Sequence, residues 1–171
     1  MLGNTYGTQV CSIARALELV GERWTLLILR NALFAGSTRY RDFQRGLGIA
    51  TNVLQDRLDG LVEAGIMERR ASSEQAGVSE YVLTAKGRDF APVLVALTHW
   101  GDTWAAPDGP PILYRHTGCG SALGVELTCV THGRVEDLTA ITALPGPGMP
   151  ADRAERVASR ARVPRGGLAG A

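Results

Sequence analysis

The segment that decides the fold runs Gly48-Ile49-Ala50-Thr51-Asn52-Val53-Leu54-Gln55-Asp56-Arg57-Leu58-Asp59-Gly60-Leu61-Val62-Glu63-Ala64-Gly65. Large apolar side chains recur three or four positions apart, and they occupy positions 54, 58, 61 and 62. That spacing places them on one face of an α-helix, so we predict a helix over residues 51–64 with one buried face. Thr51 is the predicted N-cap, since its hydroxyl can accept a hydrogen bond from a first-turn amide.

The helices and strands predicted on either side of this helix follow one another in the order of a known fold. Apolar periodicity predicts three earlier helices, followed after Gly65 by two short strands and a long final helix. Their predicted bounds are residues 12–20, 22–34 and 39–46 for the helices, 66–70 and 79–83 for the strands, and 84–104 for the last helix, with Pro92 expected to bend it. Two helices joined by a tight turn and followed by a β-hairpin are typical of a winged helix-turn-helix, a mostly helical α+β fold.

Composition divides the chain into three predicted parts. Residues 1–106 form the winged helix-turn-helix and its dimerisation helices, and a Pro/Gly-rich linker follows. Residues 112–144 are a small β-rich extension that contains Cys and His. Residues 145–171 are rich in Pro, Gly and Arg and poor in large apolar residues, so we predict a mobile, disordered tail.

The fold plan assigns a DNA-reading role to the helix over residues 51–64. The second helix of such a pair fits the major groove, where Asn52 and Gln55 can pair with adenine and Asp56 can accept from cytosine. Five arginines are predicted to contact phosphates and set the register: Arg39, Arg41, Arg45, Arg69 and Arg70. Thr51, Arg57 and Ser72 complete the predicted DNA-binding residues. The alternative is a simple solvated helix, which the acidic residues on the same face favour.

Charge and composition exclude several classes of protein. With 18 basic and 17 acidic residues, the chain is no non-specific nucleic-acid coat, and DNA binding must depend on local charge. No basic-then-apolar leader and no apolar run of about 20 residues occurs, which predicts a cytoplasmic protein with no membrane partner. The three cysteines are an odd number, which argues against a disulfide framework. No catalytic motif is present, so we predict that the chain is not an enzyme.

Motifs along residues 9–105 resemble those of the HxlR family of winged helix-turn-helix regulators. The matching stretches include Cys11-Ser12-Ile13-Ala14, Gly21-Glu22-Arg23-Trp24, Leu27-Ile28-Leu29-Arg30, Arg39-Tyr40-Arg41-Asp42-Phe43 and Tyr81-Val82-Leu83-Thr84, with Gly87, Leu97 and Trp100 beyond them. The resemblance implies a sequence-specific regulator that binds a double-stranded DNA operator as a homodimer. It also implies that the first and last helices form the dimer interface, through Ile13, Leu17, Leu94, Leu97, Trp100 and Trp104. The alternative is that part of this stripe is intramolecular core.

The same resemblance points to a thiol sensor. Cys11 matches an N-terminal cysteine that several family members use to sense oxidants or electrophiles, and a helix N-terminus favours the thiolate. The alternative is a buried thiol that packs as a small apolar side chain. A second effector hypothesis is a small-molecule site between the long helix and the extension at residues 112–144.

The extension contains two matched Cys/His pairs. His116 and Cys119 are separated by two residues and followed by Gly, and Cys129 and His132 repeat the pattern. Two such knuckles can supply four tetrahedral ligands to a structural zinc ion. The alternative is a metal-free segment, and no cofactor is required for the predicted function.

Overall fold

The computed structural model describes residues 5–7 and 9–161 of the chain. The helices are α1 (Ser12–Val20), α2 (Arg23–Phe34), α3 (Tyr40–Leu47), α4 (Thr51–Glu63), α5 (Ala85–Arg88), α6 (Ala91–Trp104) and α7 (Ala151–Ala161). The strands are β1 (Met67–Ala71), β2 (Ser79–Leu83), β3 (Thr128–Cys129) and β4 (Gly133–Arg134), and a 3₁₀ turn covers Leu138–Ala140. Among the described residues, no helix is both long and apolar enough to cross a membrane.

The core lies beneath α4. Leu54, Leu58 and Leu61 are almost completely buried, which confirms the predicted apolar face of this helix. The other members of the core cluster come from all the neighbouring elements: Val20, Ile28, Leu29, Phe43, Ile49, Ile66, Met67, Tyr81 and Leu94. Burial of these side chains fixes the orientation of α4 relative to α2 and α3.

The predicted hairpin wing is confirmed. Strands β1 and β2 pair antiparallel from Met67–Leu83 to Ala71–Ser79. The backbone N–H of Tyr81 also donates to the carbonyl of Thr38 at 2.7 Å, and Arg39 forms an isolated bridge with Glu80. The chain that enters α3 therefore binds β2 directly, which attaches the wing to the helix-turn-helix.

Two local predictions were wrong. Thr51 is the first helical residue, and Ala50 is the N-cap, because the Ala50 carbonyl accepts the first helical bond from Leu54 at 2.9 Å. The long helix predicted from residue 84 is two helices, α5 and α6, and Pro92 lies in the first turn of α6. Proline is well tolerated there because a first-turn amide has no intrahelical partner.

Residue contacts divide the chain between Val125 and Glu126, beyond the predicted linker around residues 107–111. The first unit includes the beginning of the extension, where the Tyr114 ring packs against that of Phe34 in α2 with centroids 4.5 Å apart. Among the described residues of the second unit, β3 pairs with β4. The aromatic contact explains why the division falls later than composition indicated.

The predicted disorder of residues 145–171 is wrong over Ala151–Ala161, which form α7. Helical spacing pairs Arg156 with Asp152 at 3.4 Å, and the Pro150 carbonyl accepts from Arg153 and Ala154 at the start of the helix. Such an i,i+4 pair favours a helix even where few large apolar residues are present. Residues 162–171 of the predicted tail lie outside the described residues.

Candidate nucleic-acid interface

The N-terminal half of α4 presents a polar face to solvent. Asn52 and Asp56 are exposed, while Leu54 and Leu58 anchor the opposite face in the core. The Tyr40 hydroxyl of α3 donates to the Thr51 carbonyl at 2.7 Å, so the start of α4 is held against α3. The polar end of the predicted reading helix is therefore rigidly placed and accessible.

Gln55 lies half-buried on the flank of this face. Its Nε2 donates to Asp59 Oδ1 at 2.8 Å, one turn further along α4. An amide that pairs with adenine uses both its N–H₂ and its carbonyl oxygen, so this internal hydrogen bond has to be exchanged when DNA binds.

An open cleft of about 970 Å³ separates α3 and α4 from the wing. Gln55 reaches it from α4, Arg41 and Arg45 from α3, and Arg69 and Gln75 from the wing. Arg41 and Arg69 are exposed, and within the described residues neither forms an ion pair, whereas Arg45 pairs with Asp42 at 2.6 Å. The cleft therefore presents two uncompensated guanidinium groups beside the polar end of α4.

The other basic residues predicted at the wing have internal partners. Arg39 binds Glu74 at 2.8 Å, and its Nε lies 4.0 Å from Glu80. Arg70 also binds Glu80, at 3.6 Å, and the Ser72 hydroxyl donates to the same carboxylate at 2.8 Å. A buried carboxylate requires such partners, because burial without them is costly. Arg39, Arg70 and Ser72 thus have a structural role in the wing.

The sequence did not identify Glu80 as the common partner of Arg39, Arg70 and Ser72. The pairing of the two hairpin strands indicates one of these contacts. Arg70 lies directly opposite Glu80 in the ladder, where opposite charges stabilise a pair of strands.

Arg57 is half-buried, its Nε has no hydrogen-bond partner in the described part of the chain, and it does not line the cleft.

A second surface of the first unit is apolar. Trp100 is 60% exposed and Trp104 75% exposed on α6, while Ile13 is 70% exposed on α1. Leu17 and Leu97 are also exposed, but Leu94 is 5% exposed and belongs to the core cluster. Leu94 is therefore not available to a partner, because it faces inward on α6.

Cys11 is the N-cap residue of α1. Its backbone is extended, its carbonyl accepts from Arg15 N–H at 3.1 Å, and its side chain makes no capping hydrogen bond. The thiol is free and exposed, next to the exposed apolar residues of the same helix. The structure therefore places Cys11 at a helix N-terminus, and within the described chain it is not a packed core thiol.

Each of the two Cys/His pairs brings its sulfur and imidazole together. His116 Nδ1 lies 3.3 Å from Cys119 Sγ, and His132 Nδ1 lies 3.6 Å from Cys129 Sγ. Hydrogen bonds from the Ser121 hydroxyl and backbone, with His116 beside them, lower the pKa of Cys119. The backbone N–H groups of His132 and Thr131 lower the pKa of Cys129. Across residues 5–7 and 9–161, no group of three or more His, Cys, Asp or Glu that could hold a metal ion occurs, so each pair is a two-ligand unit.

The family model described as HxlR-like helix-turn-helix matches residues 19–109, which span α2 to α6 and the wing. The chain belongs to the HxlR-like helix-turn-helix family. The match covers the cleft, the polar face of α4 and the whole of α6, but it includes only the last two residues of α1. It ends before the two Cys/His pairs, which are additional to the HxlR-like region.

Proteins similar to this chain are described as transcriptional regulators or transcription factors. An uncharacterized HTH-type transcriptional regulator of Mycobacterium tuberculosis is 47% identical over 143 residues, which are 82% of this chain and 89% of that protein. The solved structure of PA1607, described as a transcription factor, matches with a TM-score of 0.72 at 32% identity and covers 81% of this chain and 97% of its own. PA1374 from Pseudomonas aeruginosa, also described as a transcription factor, matches with a TM-score of 0.59 at 37% identity over 85% and 99%.

Proposed function

We propose that this chain, a DNA-binding transcriptional regulator of the helix-turn-helix type and not an enzyme, binds its operator as a homodimer. The observation that carries the proposal is the cleft in which Arg41 and Arg69 flank the exposed polar end of α4. In the major groove, Asn52, Gln55 and Asp56 read base edges, while the two arginines contact phosphates on either side.

The exposed apolar face of α1 and α6 supports the dimer. Two tryptophans, Trp100 and Trp104, are mostly exposed on one helix, together with Ile13 and Leu17 on another. A patch of this kind is unfavourable in water and is typical of an interface. A second copy of the chain is the proposed occupant, because a symmetric pair presents two α4 helices to half-sites about one helical turn, 34–36 Å, apart.

The base-reading role is tested by comparing Gln55→Ala with Arg41→Ala in the full chain. A duplex selected from random sequence and an unrelated duplex are titrated at several salt concentrations by fluorescence anisotropy. Gln55→Ala is expected to weaken the selected duplex alone, whereas Arg41→Ala weakens both and reduces the salt slope by about 0.9. Arg134→Ala, which removes an exposed arginine outside the cleft, is the control. Identical effects of both cleft variants on both duplexes would contradict the assignment.

The dimer is tested by Trp100→Glu, with sedimentation equilibrium as the measurement. Because a charge then replaces a central aromatic contact, we expect the dimer dissociation constant to rise by roughly 30-fold or more. Val130→Glu, which alters a fully exposed apolar residue, is the matched control. A wild-type chain that stays monomeric at operator-binding concentrations would overturn the proposal of a homodimer.

The proposed signal is chemical modification of Cys11. A quinone reacts by addition of the sulfur to a ring carbon, and the thiol proton passes to the quinone, so nothing else is consumed. With peroxide, the sulfur takes one oxygen, the O–O bond breaks, and a sulfenic acid and water form. Either product adds a polar group or bulk at the start of α1, beside the proposed dimer surface, and weakens operator binding.

Cys11→Ser tests this sensor. Operator release by benzoquinone or peroxide is expected to disappear in this variant and to persist in a Cys119→Ser control. Mass spectrometry locates the modified thiol. Release that continues while Cys11 remains unmodified would remove this residue from the mechanism.

A groove along α6 supports a second candidate, a small-molecule effector site. It has a volume of about 410 Å³ and lies within the first unit, between α6 and residues 110–123. Thr98, His99, Asp102 and Arg115 provide polar groups of both charges, and Leu113 with Leu123 provides apolar walls, which suits an aromatic compound with polar substituents. Anilinonaphthalenesulfonate is the probe, and Thr98→Trp should fill the groove and abolish its fluorescence enhancement. An unchanged enhancement would contradict the site.

A further inference from the structure

We propose that Asp59 sets the base preference of Gln55, so that the chain selects an amino-bearing base, adenine or cytosine, at the position that Gln55 contacts. This preference rests on the proposed function, because it takes Gln55 as a base-reading residue. Asp59 acts through Gln55 and is therefore a positioning residue. It was not among the residues that the sequence predicted to bind DNA.

The chemistry of its partner fixes the orientation of the Gln55 amide. Gln55 Nε2 lies 2.8 Å from Asp59 Oδ1, one helical turn further along α4. An ionised carboxylate only accepts hydrogen bonds, so the amide has to turn its N–H₂ group, and not its oxygen, to Asp59. The two ends of an amide have nearly the same outline, but beside a carboxylate only one of the two orientations is favourable.

The position of the pair on the helix supports this hydrogen bond. Gln and Asp four positions apart lie on neighbouring turns of α4, and such pairs stabilise helices. The bond is also charge-assisted, and hydrogen bonds of this kind are about twice as strong as those between neutral groups. Asp59 is exposed and does not line the cleft, whereas Gln55 is half-buried and does. The carboxylate therefore holds Gln55 from outside the cleft.

The carbonyl oxygen of Gln55 is left for a ligand. The planar amide turns Oε1 away from Asp59 when Nε2 faces it. In the described part of the chain, Oε1 accepts no hydrogen bond and stays accessible, although Arg41, Arg45 and Arg69 line the same cleft. In this orientation Gln55 offers DNA an acceptor.

The bases differ in what they present to such an acceptor in the major groove. Adenine N6 and cytosine N4 are amino groups that donate, whereas guanine O6 and thymine O4 are acceptors. An amino group on the base satisfies the Gln55 oxygen. A second acceptor faces that oxygen without a proton between them, which leaves both groups unpaired at a cost. The acceptor therefore favours adenine or cytosine over guanine or thymine.

Pairing with adenine through two hydrogen bonds is the alternative, and it requires the Gln55 amide to leave Asp59. That pairing gains one hydrogen bond, from Nε2 to adenine N7, and loses the charge-assisted bond to Asp59. It also leaves a carboxylate without its donor beside the DNA, where the phosphate charge repels it. A single bond from a base amino group to Oε1 keeps the internal bond. This mode is therefore favoured while Asp59 is present.

Bind-and-sequence selection with the full chain tests the preference. Random duplexes are selected with the wild type and with Gln55→Ala, and the position at which the two selections differ is the one that Gln55 contacts. We expect the wild type to prefer adenine or cytosine there by at least about fivefold over guanine or thymine. A wild-type preference for guanine or thymine at that position would overturn the proposal.

Asp59→Ala tests the origin of the preference by anisotropy titration of two duplexes that differ only in cytosine or guanine at this position. A freed amide can offer its oxygen to cytosine or its N–H₂ group to guanine, so the preference should fall to about twofold or less. Asp59→Glu keeps an acceptor within reach of Gln55 and should retain the preference.

Glu63→Ala is the matched control, because it removes the same charge from the exposed face of α4. Both alanine variants should bind every duplex more tightly, since each removes a charge that repels phosphate. Only Asp59→Ala should alter the preference for cytosine over guanine. An unchanged preference in Asp59→Ala, or an equal change in Glu63→Ala, would overturn the proposal.

Asp59→Lys should reverse the preference. A lysine ammonium only donates, so the Gln55 oxygen turns to it and the N–H₂ group is presented to guanine or thymine. Glu63→Lys makes the same change of charge and should keep the wild-type preference. An Asp59→Lys chain that still prefers cytosine to guanine would also overturn the proposal.

Two further results separate this proposal from the proposed function. Asp59→Ala should have no effect on the preference in a chain that already carries Gln55→Ala. A change that persists there would mean that Asp59 contacts the base itself, which contradicts this proposal alone. A Gln55→Ala chain whose preferences match those of the wild type at every position would contradict the base-reading role of Gln55 in the proposed function, and this proposal with it.

Discussion

The winged-helix region, residues 12–104, and the C-terminal region, residues 105–161, differ in the burial of their large apolar residues. Every buried residue of the described chain lies between Ala14 and Leu94. The C-terminal region also contains many large apolar residues, but nine of them are exposed: Ile112, Leu113, Leu123, Val125, Leu127, Val130, Leu138, Ile141 and Leu144. Apolar content alone therefore does not produce a core. Periodic spacing on helices that pack together does.

The largest expected effect lies in the core of the winged-helix region. Phe43 is completely buried among the core residues, and Phe43→Ala should lower the free energy of unfolding by about 3–5 kcal/mol. Val130→Ala, at a fully exposed apolar residue of the C-terminal region, should change it by less than about 0.5 kcal/mol. Urea denaturation followed by circular dichroism measures both. Similar losses in the two variants would break the contrast between the regions.

Each region also has an exposed ion pair, and the two pairs should differ in their effect on DNA binding. Glu74→Gln removes the partner of Arg39 at the wing and a charge that repels phosphate, so we expect operator affinity to rise about two- to fivefold at low salt. Glu126→Gln breaks the comparable pair with Arg134 and should leave affinity unchanged. Anisotropy titrations measure both variants. Equal changes would mean that the wing has no special role.

The smallest effect concerns local polar order in the C-terminal region. The Thr139 hydroxyl and its backbone N–H hold the pKa of Asp137 below its ordinary value. Because the folded pKa is the lower one, this contribution to stability is present above the ordinary pKa of Asp and is lost as the pH falls through the folded value. Thr139→Val should raise the pKa of Asp137, as measured by carboxyl NMR titration. An unchanged titration curve would show that the hydroxyl does not stabilise this turn.

The sequence predicted part of the candidate nucleic-acid interface, and the residue roles that it did not predict share one cause. The polar end of α4 and the hairpin wing followed from local periodicity, so Asn52, Gln55 and the two strands of the wing could be placed in advance to within one residue, but the register of β1 with β2 was not predicted. The roles of Arg39 and Arg70 could not, because they depend on the burial of Glu80, which arises only when the wing packs against the entry to α3. Sequence alone treats every surface arginine as free to bind phosphate.

Local properties of the chain determined the winged helix-turn-helix, the spacing of the Cys/His pairs and the position of Cys11 at a helix N-terminus. Each depends on neighbours within a few residues, through helical or strand periodicity and tight turns. Tertiary structure decided which arginines face an open cleft, that Leu94 belongs to the core, and that residues 107–125 join the first unit. These outcomes depend on burial and on charge partners far apart in sequence, which become defined only when the helices pack.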